Sequence, residues 1–147
     1  MATERQPGEM SAPQRVPGRG KRVGLGIVFL WFFIGGIAHF VATDTEMRIV
    51  PPYIPWPHLI VLVSGVFELL GAAGLLLRPT RFAAGVGLFV LTLAVTPAHI
   101  YMLQRPELFA AVPYWALILR LPLQAALLVL IAWSTSVPRG RYPGTGT

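Results

Sequence analysis

Four apolar stretches constrain this chain more than anything else in it: residues 23–42, 57–77, 82–103 and 113–133. Each is close to the roughly 20 residues needed to cross the hydrocarbon core of a bilayer as a helix. In lipid every backbone N–H and C=O must be paired within the spanning element, and these runs lack the alternation of a barrel strand. The predicted fold is therefore all-α, an integral membrane four-helix bundle. Each stretch carries one charged or imidazole side chain in its interior: His39, Glu68, His99 and Arg120. Such residues are costly at membrane depth unless neutralised, paired or hydrated, so they mark where the bundle is organised.

Composition agrees with this reading: 54% of the residues are hydrophobic, 12% are charged, and the mean hydropathy is +0.63. With no cysteine, the chain has no disulfide, thiolate metal site or iron–sulfur cluster. The net charge of +6 does not point to nucleic acid. The basic residues flank the apolar stretches, which is the pattern that orients a membrane protein. Arg5, Arg15, Arg19, Lys21, Arg22, Arg78, Arg81, Arg139 and Arg141 fall on one side, Arg48 and Arg105 on the other. The expected topology is N-in and C-in, with the bilayer as the principal partner. Three segments result: a disordered cytosolic tail over 1–22, a four-helix membrane domain over 23–133, and a disordered cytosolic tail over 134–147. Both tails are rich in Pro and Gly.

The connections differ in kind. Residues 43–56 (TDTEMRIVPPYIPW) contain Pro51, Pro52 and Pro55, which should make the segment stiff and extended. Its Ile49, Val50, Tyr53, Ile54 and Trp56 are too apolar for free solvent, and the segment is expected either to lie over the outer mouth of the bundle or to serve as an interfacial connector. Residues 104–112 form a shorter outer loop, and residues 78–81 a tight inner turn. Pro97 and Pro122 are expected to interrupt the third and fourth spans, freeing the carbonyls of Leu93 and Ile118. Pairs of glycines, including Gly35 and Gly36, suit close helix contacts.

The polar residues form stripes at helical spacing. Ser64 and Glu68 are four apart, as are Arg120 and Gln124, and Thr92, Thr96 and His99 follow at four and three. Residues so spaced share a helix face. Turned inward, the stripes would enclose an outward-opening polar pocket whose candidate residues are His39, Ser64, Glu68, Thr96, His99, Arg120 and Gln124. Counted from the outer ends of their spans, the histidines are shallow and Glu68 lies about 17 Å deep. Glu68 is thus expected to pair with Arg120. That pair either sets helix register or charges a pocket for an anionic or quinone-like ligand or a proton path. Two histidines on different spans also admit a haem. A metal site is not expected, because the histidines lack a third ligand at their depth. No phosphate-binding glycine loop, nucleophile elbow or H-E-x-x-H motif is present, so no catalytic residue is assigned and a hydrolase is disfavoured.

The motifs GGIAHF (35–40), IVPPYIP (49–55), SGVFELLGAAGLLL (64–77), TPAHIYM (96–102) and RLPLQ (120–124) appear in the order found in DoxX-like proteins. Taken together, the chain resembles that family of small four-helix bacterial membrane proteins. In the family the third-span motif often has asparagine at the position of His99. The resemblance implies a multi-pass protein of the bacterial cytoplasmic (inner) membrane, and little chemistry. Relatives include a subunit of a thiosulfate:quinone oxidoreductase. By analogy the expected function is a non-catalytic subunit or scaffold beside membrane redox or quinone enzymes, with such subunits or further copies of itself as partners. The alternatives are an oxidoreductase subunit binding a quinone-like ligand and a small-solute or proton transporter.

Overall fold

The structure is a computed structural model and describes residues 18–136. Of the tails expected to be disordered, 1–17 and 137–147 lie outside that range, whereas 19–22 and 134–135 are helical. Among the described residues the chain is helical with no strand. The helices are α1 (Arg19–Val41), α2 (Thr43–Met47), α3 (Pro57–Leu76), α4 (Arg81–Ala94), α5 (Thr96–Gln104) and α6 (Tyr114–Thr135), with a 3-10 turn over Pro106–Phe109. Four units are long and apolar enough to cross a membrane: α1, α3, α4 with α5, and α6.

Local chemistry sets the boundaries. Helix α1 begins at Arg19, just after Pro17 and Gly18, so Lys21 and Arg22 are helical rather than part of a tail. Lys21 Nζ donates to the Ser136 carbonyl at 2.9 Å and lies 2.8 Å from Ser136 Oγ, fastening the start of α1 to the end of α6. At the far end of α1, Thr43 Oγ1 donates to the His39 carbonyl at 2.6 Å and to that of Phe40 at 3.2 Å. Those carbonyls belong to the last turn, where intrahelical partners run out. Helix α3 opens with Pro57 at its first position, where a missing N–H costs nothing. The preceding Trp56 sits at φ 52°, a left-handed conformation uncommon outside glycine.

Around the bundle α1 packs on α3, α3 on α4, α4 on α6, and α6 back on α1. The half nearer the described chain ends is filled by a dry core that includes Val28, Phe32, Ala72, Leu75, Leu88 and Ile131. A smaller cluster, Met102, Phe109 and Leu117, sits under the α5–α6 connection, with Tyr101 edge-on to Phe109. The outer surface is apolar: Val41 is 82% exposed and Val129 69%. In water such a surface would aggregate, whereas hydrocarbon solvates it.

Helices α1 and α3 pack closely, and glycine makes this possible. A Cβ on Gly65 would lie 2.7 Å from His39 Cβ and 3.2 Å from the Gly36 carbonyl oxygen. One on Gly36 would lie 2.8 Å from Leu69 Cγ, and one on Gly35 2.7 Å from Glu68 Oε2. These contacts fix the stagger of the two antiparallel helices. Position 39 is level with position 65, so α3 projects past the end of α1 by about six residues, roughly 9 Å. Helix α2 packs against α3 at this end.

The two prolines behave differently. The third span breaks at Val95, between α4 and α5, with Pro97 in the first turn of α5. Pro122, expected to interrupt the fourth span, instead lies inside an unbroken α6.

Candidate functional site

Beyond the dry core the helices separate around a cavity of about 500 Å3. His39, Ser64, Glu68, His99, Arg120 and Gln124 all line it. Thr96, the seventh candidate, stands one bond behind, through Gln124. The rest of the wall is largely apolar, including Phe32, Val61, Leu91, Leu123 and Leu127. The long connection contributes Glu46, Ile49, Val50, Pro51 and Ile54, so it closes over this end of the bundle. Pro51 is fully buried. The connection is not extended as expected: it begins as the short helix α2 and continues through turns. Tyr53 and Trp56, each 73% exposed, face away. Sequence reasoning missed Glu46 and Trp31 as wall residues: Glu46 lies in the connection rather than in a span, and Trp31 has no polar neighbour at helical spacing that would have marked it.

The polar groups form two clusters. In one, Glu68 Oε1 lies 3.5 Å from His39 Nε2, and the side chains are only 13% and 16% exposed. This corrects the expectation that Glu68 pairs with Arg120. Among the described residues Arg120 has no carboxylate within ion-pair distance. Counting depth from helix ends failed because the ends are not level. With α3 projecting beyond α1, Glu68 is only about one turn below the level of His39. Side chains on a helix lean toward its N-terminus. In this antiparallel pair that tilt brings His39 and Glu68 toward each other. The contact is long for a hydrogen bond. Glu68 Oε2 and His39 Nδ1 are buried and, among the described residues, have no hydrogen-bond partner.

The second cluster is centred on Gln124 of α6. Its Nε2 donates to the Thr92 carbonyl and to Thr96 Oγ1, each at 2.7 Å. His99 Nδ1 lies 2.6 Å from Gln124 Oε1. A carbonyl can only accept, so the amide orientation is determined: nitrogen toward Thr92, oxygen toward His99. His99 Nδ1 therefore carries a proton, and in the neutral ring Nε2 is left as an acceptor. The break at Val95 explains why Gln124 is needed. Where the α4 ladder stops, the Thr92 carbonyl takes a side-chain donor from a neighbouring helix. The spacing of Thr92, Thr96 and His99 had indicated this stripe, but not the amide that joins it.

These groups suit binding. The half-buried guanidinium of Arg120 is a fixed donor, and the two histidines and Glu68 add donors and acceptors to an otherwise apolar chamber. Among the described residues no three His, Asp or Glu side chains come together to hold a metal ion. Residues 28–137 match a family described as Domain of unknown function (DUF8561). The chain belongs to this family. The matched region takes in all seven candidate residues and both clusters, so the DUF8561 region and the cavity-bearing bundle largely coincide. No curated protein and no solved structure matches the chain.

Proposed function

We propose that this DUF8561 chain is a non-catalytic subunit of the bacterial cytoplasmic membrane that serves membrane redox enzymes by holding a small quinone-like molecule inside its bundle. The observation that carries the proposal is the chamber of about 500 Å3, apolar over most of its wall, with Arg120 and His99 among its few polar groups. That pattern fits an apolar body with one polar end: a carbonyl would accept from Arg120, and a hydroxyl would donate to His99 Nε2. The resemblance to DoxX-like proteins supplies the redox setting by analogy. The excess of Arg and Lys at the end bearing α1's start, the 78–81 turn and α6's finish supports an N-in, C-in topology, with the chamber in the outer half of the membrane. The test is purification of the full chain in mild detergent, with mass spectrometry and optical spectra of what accompanies it, and melting curves with short-chain quinone analogues. A bound quinone, or a melting temperature raised by the analogues and not in Arg120→Ala, is expected. No bound molecule and no shift would end the ligand reading.

A second reading has its own support, because both polar clusters join helices: His39–Glu68 links α1 to α3, and Gln124 links α6 to α4 and α5. Polar ties of this kind set the register of a scaffold that need bind nothing small. In that case Glu68→Gln lowers the amount of protein and the recovery of partner subunits while quinone analogues leave the melting curve unchanged.

A further inference from the structure

A separate groove lies at the opposite end of the bundle, where α1 meets the turn between α3 and α4. Arg22, Arg78 and Arg81 surround a cavity of about 320 Å3 whose floor includes Leu25, Phe29 and Leu76. Among the described residues none of the three arginines is in an ion pair. Arg81 is held in place by its own bond, Nε donating to the Leu75 carbonyl at 3.0 Å at the end of α3. Lys21, one residue from Arg22, is occupied at the end of α6 and takes no part in the groove. Three cations are thus collected on one side of the bundle end, over an apolar floor that continues onto the lipid-facing surface, where Leu76 is 61% exposed.

We infer that this groove binds an anionic phospholipid, with its phosphate among Arg22, Arg78 and Arg81 and an acyl chain along the apolar seam between α1 and α3. Guanidinium groups match phosphate oxygens in a two-pronged geometry and are weakly hydrated, so they bind phosphate at a membrane boundary. A basic pocket between helix ends is the form that headgroup recognition takes in membranes. The surplus of positive charge over one phosphate favours a headgroup of net negative charge over a zwitterionic one. The groove is at the far end of the bundle from the chamber and shares no residue with it.

Gly26 provides a clean test. It lines the groove, and a Cβ there would meet nothing within 4 Å, so a side chain can be introduced at the groove without its Cβ striking a neighbouring helix. The full-length protein in mild detergent is titrated with phosphatidylglycerol or phosphatidylcholine of the same acyl chains, and retention is read by native mass spectrometry. Phosphatidylglycerol should be retained preferentially. Retention should fall roughly fivefold for each arginine removed in Arg22→Gln and Arg78→Gln, with melting temperatures unchanged. Gly26→Phe should also lower it, with all three arginines in place. Equal retention of the two lipids overturns the proposal. Undiminished retention in Gly26→Phe overturns it too, since that outcome means surface charge without a groove. Competition by soluble glycerol phosphate at the affinity of the lipid likewise overturns it, because the apolar floor would then play no part.

Discussion

Gln124 is the residue on which most of the site's geometry depends. Its amide makes three hydrogen bonds to three residues of the neighbouring span. Interhelical polar bonds in membranes are worth about 0.6 kcal/mol on average and up to about 1.7 each. Gln124→Leu should therefore destabilise the bundle by about 2–3 kcal/mol, seen as a lower melting temperature in detergent. Gln124→Glu should restore stability only where its carboxyl is protonated: an ionised oxygen facing the Thr92 carbonyl would leave two acceptors opposed, whereas a protonated one would donate to it. Nitrogen NMR of the wild-type histidines at a pH where they are neutral should show His99 protonated on Nδ1, with that preference lost in Gln124→Leu. A ring protonated mainly on Nε2 would contradict the amide orientation. Glu68 and Arg120 show the limit of reading single residues. Their charges and apparent depths suggested a pair, yet Glu68 meets His39 instead.

At the scale of elements, the contact between α1 and α3 decides which side chains meet. Gly65→Leu would drive a side chain against His39 Cβ and the Gly36 carbonyl. It should cost at least the 1–3 kcal/mol or so typical of overpacking, because one obstacle is backbone that cannot rotate away. Gly87 in α4 is the control: a Cβ there meets nothing within 4 Å. Gly87→Ala should stabilise by about 0.5–1 kcal/mol through helix propensity alone. Equal melting temperatures for the two variants would mean that the stagger of α1 on α3 does not depend on Gly65. The spans themselves were legible because hydrocarbon admits few alternatives, and their ends agree with the helices to within a few residues. The kink at Pro97 was legible in kind, but the break falls at Val95 and the carbonyl that takes a side-chain donor is that of Thr92 rather than Leu93. Pro122 shows that a proline inside a span need not break it.

For the whole molecule, the bundle divides into a packed half and an open half. The dry core holds the helices together near the described chain ends, leaving the other half free to part around the chamber under the proline-rich connection. Topology can be tested directly because the chain has no native cysteine. With the proposed N-in, C-in arrangement, Asp44→Cys and Glu107→Cys should react with a membrane-impermeant thiol reagent in intact cells. Arg19→Cys should react only after permeabilisation. The reverse pattern would invert the topology and place the chamber in the inner half of the membrane.

The sequence by itself determined that the chain has four helical stretches long and apolar enough to cross a membrane, which polar residues the interior of the bundle would have to accommodate, and that the 43–56 connection would be partly apolar. These follow from local composition, because a bilayer penalises unpaired backbone and charge wherever they occur in the chain. Only the tertiary structure decided that His39 meets Glu68, that Gln124 joins the third span to the fourth, and that Arg22, Arg78 and Arg81 share one groove. Those relations depend on the stagger and rotation of helices against one another. Both are set by close contacts at residues such as Gly36 and Gly65, and a count along the sequence carries no record of either.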